Sequence, residues 1–201
     1  FLGWGCGEDS PDCFQASGDL ERVALEVPEF SRITVFENIQ LVVRSGERQE
    51  VILETGANLA PDVSARVVDG TLELRDSNSC NYFRSYGRTT FYVTTPDLEV
   101  LRSSTGWPIR SDGTLTFTNL SLVSESFNDP EAETTDGSFD LDLQVEVLRV
   151  VSNGIAYFNL RGAASRFSIT IAAGDSRVDA GNLRAGTVQL SHRGSNSISV
   201  R

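Results

Sequence analysis

The chain has 201 residues and a formal net charge of −11, with 28 acidic residues against 17 basic ones, all of which are arginine. This charge argues against nucleic acid as a partner, because phosphate binding needs clustered Lys and Arg. It also argues against electrostatic adhesion to anionic lipid. No stretch approaches the length of apolar sequence that spans a bilayer, so no membrane helix is predicted.

Residues 1–20 predict a leader or tether without a fold of its own. The segment is rich in Gly, Asp and Pro and shows no apolar period. The chain contains no Met. We therefore expect a processed or trimmed chain, with a signal sequence before Phe1 as one option.

From Val23 onward the apolar residues alternate, which is typical of half-buried strands. The clearest run places its apolar residues on odd positions only: Ile33, Val35, Ile39, Leu41 and Val43. Similar short runs follow, separated by turn sequences such as SGER and VDG. The pattern predicts an all-β protein, and we interpret residues 21–95 as an N-terminal β region.

The second half contains a repeat. Gly154, Gly174 and Gly194 stand twenty residues apart, and apolar pairs follow each of them. Apolar groups also precede each glycine, with the middle group one position out of step. A fixed period of about 20 residues with alternation is typical of a solenoid. We therefore predict that residues 96–201 form a right-handed single-stranded β-helix, continuous with the N-terminal region in one body. The alternative is a β-sandwich with evenly spaced turns.

Several motifs occur in an order that resembles the head GIN domain family, described as "putative auto-transporter adhesin" and common in Bacteroidetes. The matching segments are residues 30–35, 39–46, 56–59, 68–74 and 78–87, with TPDLEVLRSSTG after them. A leader of the form C…PDCF, here Cys6 and residues 11–14, is similar to that of one subgroup. The resemblance implies an exported, β-helix-like protein with a lipid anchor as an option, and it implies no established activity.

The three cysteines predict where the protein is held. Cys6 follows the small residue Gly5, so it is a candidate lipoprotein cysteine, with an ordinary leader thiol as the alternative. Cys13 and Cys80 both lie in polar, turn-like surroundings, and an exported protein permits disulfides. We predict a Cys13–Cys80 disulfide, with Cys6–Cys13 as the main alternative among the three pairings.

The sequence offers little for catalysis. His192 is the only histidine and lacks a nearby Asp for a triad, so we interpret it as a surface residue at a solenoid corner. The acidic segment 125–146 has ligands of the type Ca²⁺ prefers, but its spacing matches no calcium motif. Asp140 and Asp142 could pair for glycoside cleavage, or belong to a solvated face. We predict no catalytic residue, no metal ligand and no cofactor.

Trp107 and Tyr157 are the candidate ligand contacts, because an exposed ring can stack on sugar; packing at a turn is the alternative for Trp107. The predicted function is a non-enzymatic binding, adhesion or scaffolding module of a bacterial cell envelope, periplasmic or at the cell surface. Its partner would be a protein or glycan, and its only membrane contact a lipid at Cys6. The alternative is a polysaccharide-binding or polysaccharide-cleaving β-helix protein. Homo-oligomer assembly is a third alternative, since the last coil of a solenoid leaves strand edges to cover.

Overall fold

The computed structural model describes residues 17–36, 38–78, 89–128, 131 and 134–200. In this part the chain forms thirteen strands and one short 3-10 turn, Ala60–Asp62. The strands are β1 (Leu20–Leu25), β2 (Arg32–Val35), β3 (Ile39–Ser45), β4 (Glu50–Gly56), β5 (Val63–Val68), β6 (Thr71–Asp76), β7 (Thr89–Thr95), β8 (Val100–Ser103), β9 (Pro108–Ser124), β10 (Ser138–Ser152), β11 (Tyr157–Ile171), β12 (Arg177–His192) and β13 (Ile198–Val200). The predicted all-β class is confirmed.

The alternating residues of the first half point into the core. Ile33, Val35, Ile39, Leu41 and Val43 each have 0% of their surface exposed. Successive side chains of a strand point to opposite faces, so burial of every second residue defines one inner face. The predicted alternation is therefore confirmed, and it fixes which side of β2 and β3 faces the core.

The C-terminal strands lie parallel and in register. β9 pairs with β10, β10 with β11, β11 with β12, and β12 with β13. From β10 to β13 the paired residues are 19, 20 or 21 positions apart, which explains the period seen in the sequence. A right-handed single-stranded β-helix stays a prediction.

An extra residue in β12 explains why the repeat is out of step. Leu148 pairs with Phe167, 19 positions on, and Phe167 pairs with Val188, 21 positions on. The register between β11 and β12 shifts between Asn159 and Arg161, where β12 has one residue more than β11. Such a bulge bends the strand locally. Inward residues consequently stay in register on both sides of it.

The N-terminal strands combine both directions of pairing. β1 runs antiparallel to β4, β4 antiparallel to β7, and β5 antiparallel to β6. β2 lies parallel between β6 and β8, and β3 lies parallel between β7 and β9. The sheet is therefore continuous across residues 95 and 96, and the predicted division of the chain stays a prediction.

A column of inward side chains runs through the parallel strands. Its members, in register, are Ile109, Phe139, Phe158, Val178 and Ile198. The rings of Phe139 and Phe158 stack with centroids 4.8 Å apart and planes within 5°. This separation equals the usual spacing of neighbouring strands, so the register itself brings the rings face to face. Because the core occupies the inward positions, a ligand of these strands must contact outward side chains.

Candidate functional site

The two predicted ligand contacts lie near one edge of the parallel strands. Trp107 is half-buried in the turn before β9, and its backbone N–H donates to Thr105 Oγ1 at 3.2 Å. Tyr157 begins β11, is 37% exposed, and has the Arg177 guanidinium 5.5 Å from its ring centre. Pro108, beside Trp107, and Tyr157 both pair with Ser138, which places them two strands apart. Their role in ligand contact stays a prediction.

His192 lies at the end of β12 and is exposed. Its Nε2 is 2.9 Å from the carbonyl oxygen of Asn196, and the Gly194 N–H donates to its Nδ1 at 3.4 Å. Both ring nitrogens thus contact the backbone of the following turn. This placement agrees with the predicted surface position, and the ring helps to close the turn.

Glu125, the first residue of the acidic segment, is buried in the turn after β9. Its side chain is 4% exposed, and Arg102 Nη2 donates to its Oε1 at 2.9 Å. The backbone N–H groups of Phe127 and Asn128 donate to Oε2 at 2.7 and 3.2 Å. Burial raises the pKa of Glu125, but the hydrogen bonds from Arg102, Asn128 and Phe127 outweigh it and lower the pKa below its ordinary value. The ion pair of Glu125 with Arg102 thus stabilises the turn, and both oxygens of the Glu125 carboxylate accept hydrogen bonds.

Asp140 and Asp142, the hypothetical acid and base pair, are both half-buried on the outer side of β10. Asp140 Oδ1 accepts a hydrogen bond from Arg161 Nη1 at 2.5 Å and another from Asn159 Nδ2 at 2.9 Å. The carboxylate is thus held in an ion pair with an arginine of the neighbouring strand. The arrangement therefore favours the solvated polar face over a catalytic pair.

The remaining acidic segment is only partly described. Glu131 forms an ion pair with Arg75 on β6, and Asp129 and Glu133 lie outside the described residues. Among the residues described, no group of three His, Cys, Asp or Glu could hold a metal ion. No helix in that same part of the chain is long and apolar enough to cross a membrane.

The cysteines predicted to anchor the chain or to form its disulfide are not among the described residues. Cys6, Cys13 and Cys80 all lie outside the described residues. The lipid anchor and the Cys13–Cys80 disulfide therefore stay predictions.

A shallow groove crosses the outer side of β10, β11 and β12. Its volume is about 290 Å³, and its lining includes Arg149 and Arg166 but no Asp or Glu. Arg149 pairs with Ser168, and Arg166 pairs with Val147, so the two arginines lie diagonally on adjacent strands. Two guanidinium groups in this arrangement offer several N–H donors to one anionic group.

A second groove lies among the turns that flank the N-terminal strands. It has a volume of about 660 Å³, and its charged lining residues are Glu29, Glu47, Asp97 and Arg48. Gln49 crosses it, accepting from the Phe30 N–H at 3.2 Å and donating to the Pro28 carbonyl at 3.0 Å. The carboxylates outnumber the single arginine, so this groove has the opposite charge to the first.

Sequence reasoning missed that Arg149 and Arg166 are diagonal neighbours on adjacent strands. The two residues are 17 positions apart, close to the 19-residue offset between β10 and β11. That offset was the available signal: residues whose separation is near the repeat length become neighbours on adjacent strands. The prediction used the repeat to place apolar residues and did not apply it to charges.

The fold and surface define a class: all-β proteins whose parallel strands bury a continuous core and present polar outer faces. The profile of the family described as "putative auto-transporter adhesin, head GIN domain" matches residues 29–201. The chain belongs to this family, which confirms the resemblance seen in the sequence motifs. No protein with a curated description is detectably similar in sequence.

Solved structures share the fold. A "putative adhesin" from Bacteroides fragilis has a TM-score of 0.77 and 21% identity, covering 92% of this chain and 82% of its own. A "putative lipid binding protein" from Parabacteroides distasonis has a TM-score of 0.59 and 16% identity, covering 91% and 82%. A "putative adhesin" from Parabacteroides merdae has a TM-score of 0.56 and 16% identity, covering 90% and 81%. At these identities the similarity shows a common fold alone.

Proposed function

We propose that this chain is an exported, non-enzymatic binding module of a bacterial cell envelope, whose outer strand faces contact a glycan or protein. The observation that carries the proposal is the in-register parallel stack, which arranges outward side chains in columns on adjacent strands. Such columns repeat at about 4.8 Å, so they suit a partner that is itself extended. Membership in a family described as adhesins supports the same function.

The proposal includes a specific path for the chain. We infer that β8 to β13 follow a right-handed single-stranded β-solenoid, since parallel neighbours joined by a crossover are almost always right-handed. The short turns between β10, β11, β12 and β13, each of four or five residues, support one strand-and-turn unit per layer. In such a solenoid each layer adds one more row of outward side chains to the binding face.

Attachment to the envelope forms the second part of the proposal. A lipid on Cys6 would hold the module at a membrane, and a Cys13–Cys80 disulfide would fix the leader to the β body. Mass spectrometry of the chain recovered from its native membrane fraction tests both, before and after reduction. An unmodified Cys6 together with three free thiols would refute this part without affecting the binding proposal.

Binding is tested with the purified chain on an array of neutral glycans, acidic glycans and envelope proteins. We expect saturable binding to at least one class, and we expect it to disappear after thermal unfolding. Parallel incubation with each bound glycan should release no new reducing ends and no unsaturated products. Product formation would show an enzyme, and failure to bind every class would refute a binding module.

A further inference from the structure

The outer side of four neighbouring strands forms a face that carries no carboxylate. It consists of the outward residues at alternate positions of β9 (119, 121, 123), β10 (147, 149, 151), β11 (166, 168, 170) and β12 (187, 189, 191), all within the described residues. We call these twelve positions the carboxylate-free face. It holds two arginines, five hydroxyl side chains, two amides and three valines.

The composition of this face is unusual for so acidic a chain. Residues 143–201 carry seven arginines against three acidic residues, which gives this segment a net charge of +4. Residues 1–142 have a net charge of −15, and the two segments together give the −11 of the chain. Two arginines at other outward positions have an acidic partner: Arg44 pairs with Asp112, and Arg161 pairs with Asp140. The carboxylate-free face therefore combines two arginines with an absence of acids at its own twelve positions.

Arg149 and Arg166 are the only charged residues of the face. Both are exposed, and neither side chain makes a hydrogen bond or ion pair with any described residue. Strand spacing and residue rise place their Cα atoms about 8 Å apart. Both line the groove of about 290 Å³, so a single ligand in it lies next to both side chains.

Neutral polar side chains complete the groove. Ser168 lies beside Arg149, and Gln189 and Thr187 follow on β12 opposite Ser168 and Arg166. Hydroxyl and amide groups both donate and accept hydrogen bonds, as the hydroxyls of a sugar require. Val147, opposite Arg166, is only 8% exposed and contributes an apolar residue at the base of the groove.

We propose that the carboxylate-free face binds an acidic polysaccharide, with Arg149 and Arg166 holding a carboxylate or sulfate of one sugar and the neighbouring hydroxyls and amides contacting the rest. This inference rests on the proposed binding function and names its ligand class. Planar guanidinium groups match carboxylate and sulfate oxygens with paired hydrogen bonds. A charged polymer also suits the face, which is about 14 Å wide across its four strands.

Other anionic partners fit the face less well. An anionic bilayer would approach the whole molecule, and the −15 of residues 1–142 would be repelled. A stable protein interface needs roughly 800 Å² on each partner and usually aromatic anchors. None of the twelve positions is aromatic. The acidic polysaccharide is therefore the ligand that the charge and chemistry favour.

The test measures dissociation constants of the full chain for four polymers at about physiological salt. At this ionic strength the long-range attraction between exposed charges is screened. Polygalacturonate and dextran sulfate are the acidic probes, and methyl-esterified pectin and dextran are their neutral counterparts. Vesicles of phosphatidylglycerol test the lipid alternative. We expect saturable binding of an acidic probe and at least tenfold weaker binding of its neutral counterpart, since a hydrogen bond to a charged group contributes about one factor of ten or more.

Variants locate the site. Arg149→Gln and Arg166→Gln should each weaken binding roughly tenfold, because each removes charge-assisted hydrogen bonds. Arg184→Gln is the matched control: it removes the same charge from β12, is exposed, and lies outside the groove. It should change the dissociation constant less than about threefold, because a screened charge outside the site contributes little. Unchanged circular dichroism and melting temperature would show that all three variants fold.

Several results would overturn the inference. Equal losses in Arg184→Gln and Arg149→Gln would indicate diffuse electrostatic attraction and no built site. Equal binding of acidic and neutral polymers, or binding of the vesicles alone, would remove the proposed ligand class. If the chain binds a neutral glycan or a protein on the array but neither acidic polymer, this inference fails while the binding module stands. If it binds nothing, both fail.

Discussion

The stacked phenylalanines near the start of β10 and β11 offer the sharpest test of the fold. Phe158 is fully buried, and its ring lies against that of Phe139 at 4.8 Å. Phe158→Ala removes a whole buried ring between two strands whose backbone is fixed by its own ladder of hydrogen bonds, so the space cannot collapse. Substitutions of this kind cost about 3–5 kcal/mol in free energy of unfolding.

The loss is measured by urea unfolding, followed by far-ultraviolet circular dichroism. Tyr157→Ala is the matched control, because the neighbouring residue points outward and its truncation should cost less than about 1 kcal/mol. A double-mutant cycle with Phe139→Ala should give a coupling of about 1 kcal/mol, as expected for stacked rings in contact. Since domains are stable by about 5–15 kcal/mol, the single variants should remain measurable.

Three outcomes would refute the reasoning. A cost below about 1 kcal/mol for Phe158→Ala would mean that the ring is not enclosed between layers. Equal costs for Phe158→Ala and Tyr157→Ala would mean that the inward and outward sides of β11 are wrongly assigned. Additive effects of the two phenylalanine substitutions would separate the rings and contradict the register of β10 and β11.

Three further predictions concern single sites. Glu125→Gln should lower the free energy of unfolding at neutral pH and make that free energy fall less steeply in acid. A carboxyl whose pKa is lowered by folding stabilises the fold above its unfolded pKa, and this stabilisation is lost as pH falls through its folded pKa. Equal pH profiles of variant and parent would refute the prediction. Gly162→Ala should lower the melting temperature more than Gly113→Ala does. Both glycines have positive φ, but of the two only Gly162 has backbone, that of β10, where a Cβ would lie. Equal losses would refute the close approach of β10 and β11. Burial raises the pKa of Tyr92, and the Glu54 carboxylate raises it further against the lowering effect of a nearby arginine. Ultraviolet titration should therefore show this tyrosine ionising above its usual range, and Glu54→Gln should reduce the shift. An unaltered titration in the variant would exclude that carboxylate as a cause.

Sequence patterns predicted the core well because burial imposes a strict period on a strand. The odd-numbered apolar residues from Ile33 to Val43 are all buried, and the twenty-residue glycine period appears as the offset between parallel strands. The pattern could not predict the mixed pairing of β1 to β7, where β2 lies between β6 and β8. Which strands become neighbours there depends on how long connections fold back, and alternation within a strand contains no information on that choice.

The candidate site was hidden for a related reason. A repeat forces its inward positions to stay apolar in every layer, so those positions are visible as a period, while outward positions can vary from layer to layer. Arg149 and Arg166 consequently share no period with each other; they meet because their 17-residue separation falls two residues short of the 19-residue offset. Two residues along a strand restore the same outward side, and one strand spacing separates the layers. In a protein of this architecture, candidate site residues are therefore those separated by the repeat length, or by two residues more or less. Where the outward positions around them hold arginines and no acids, the ligand is expected to be anionic.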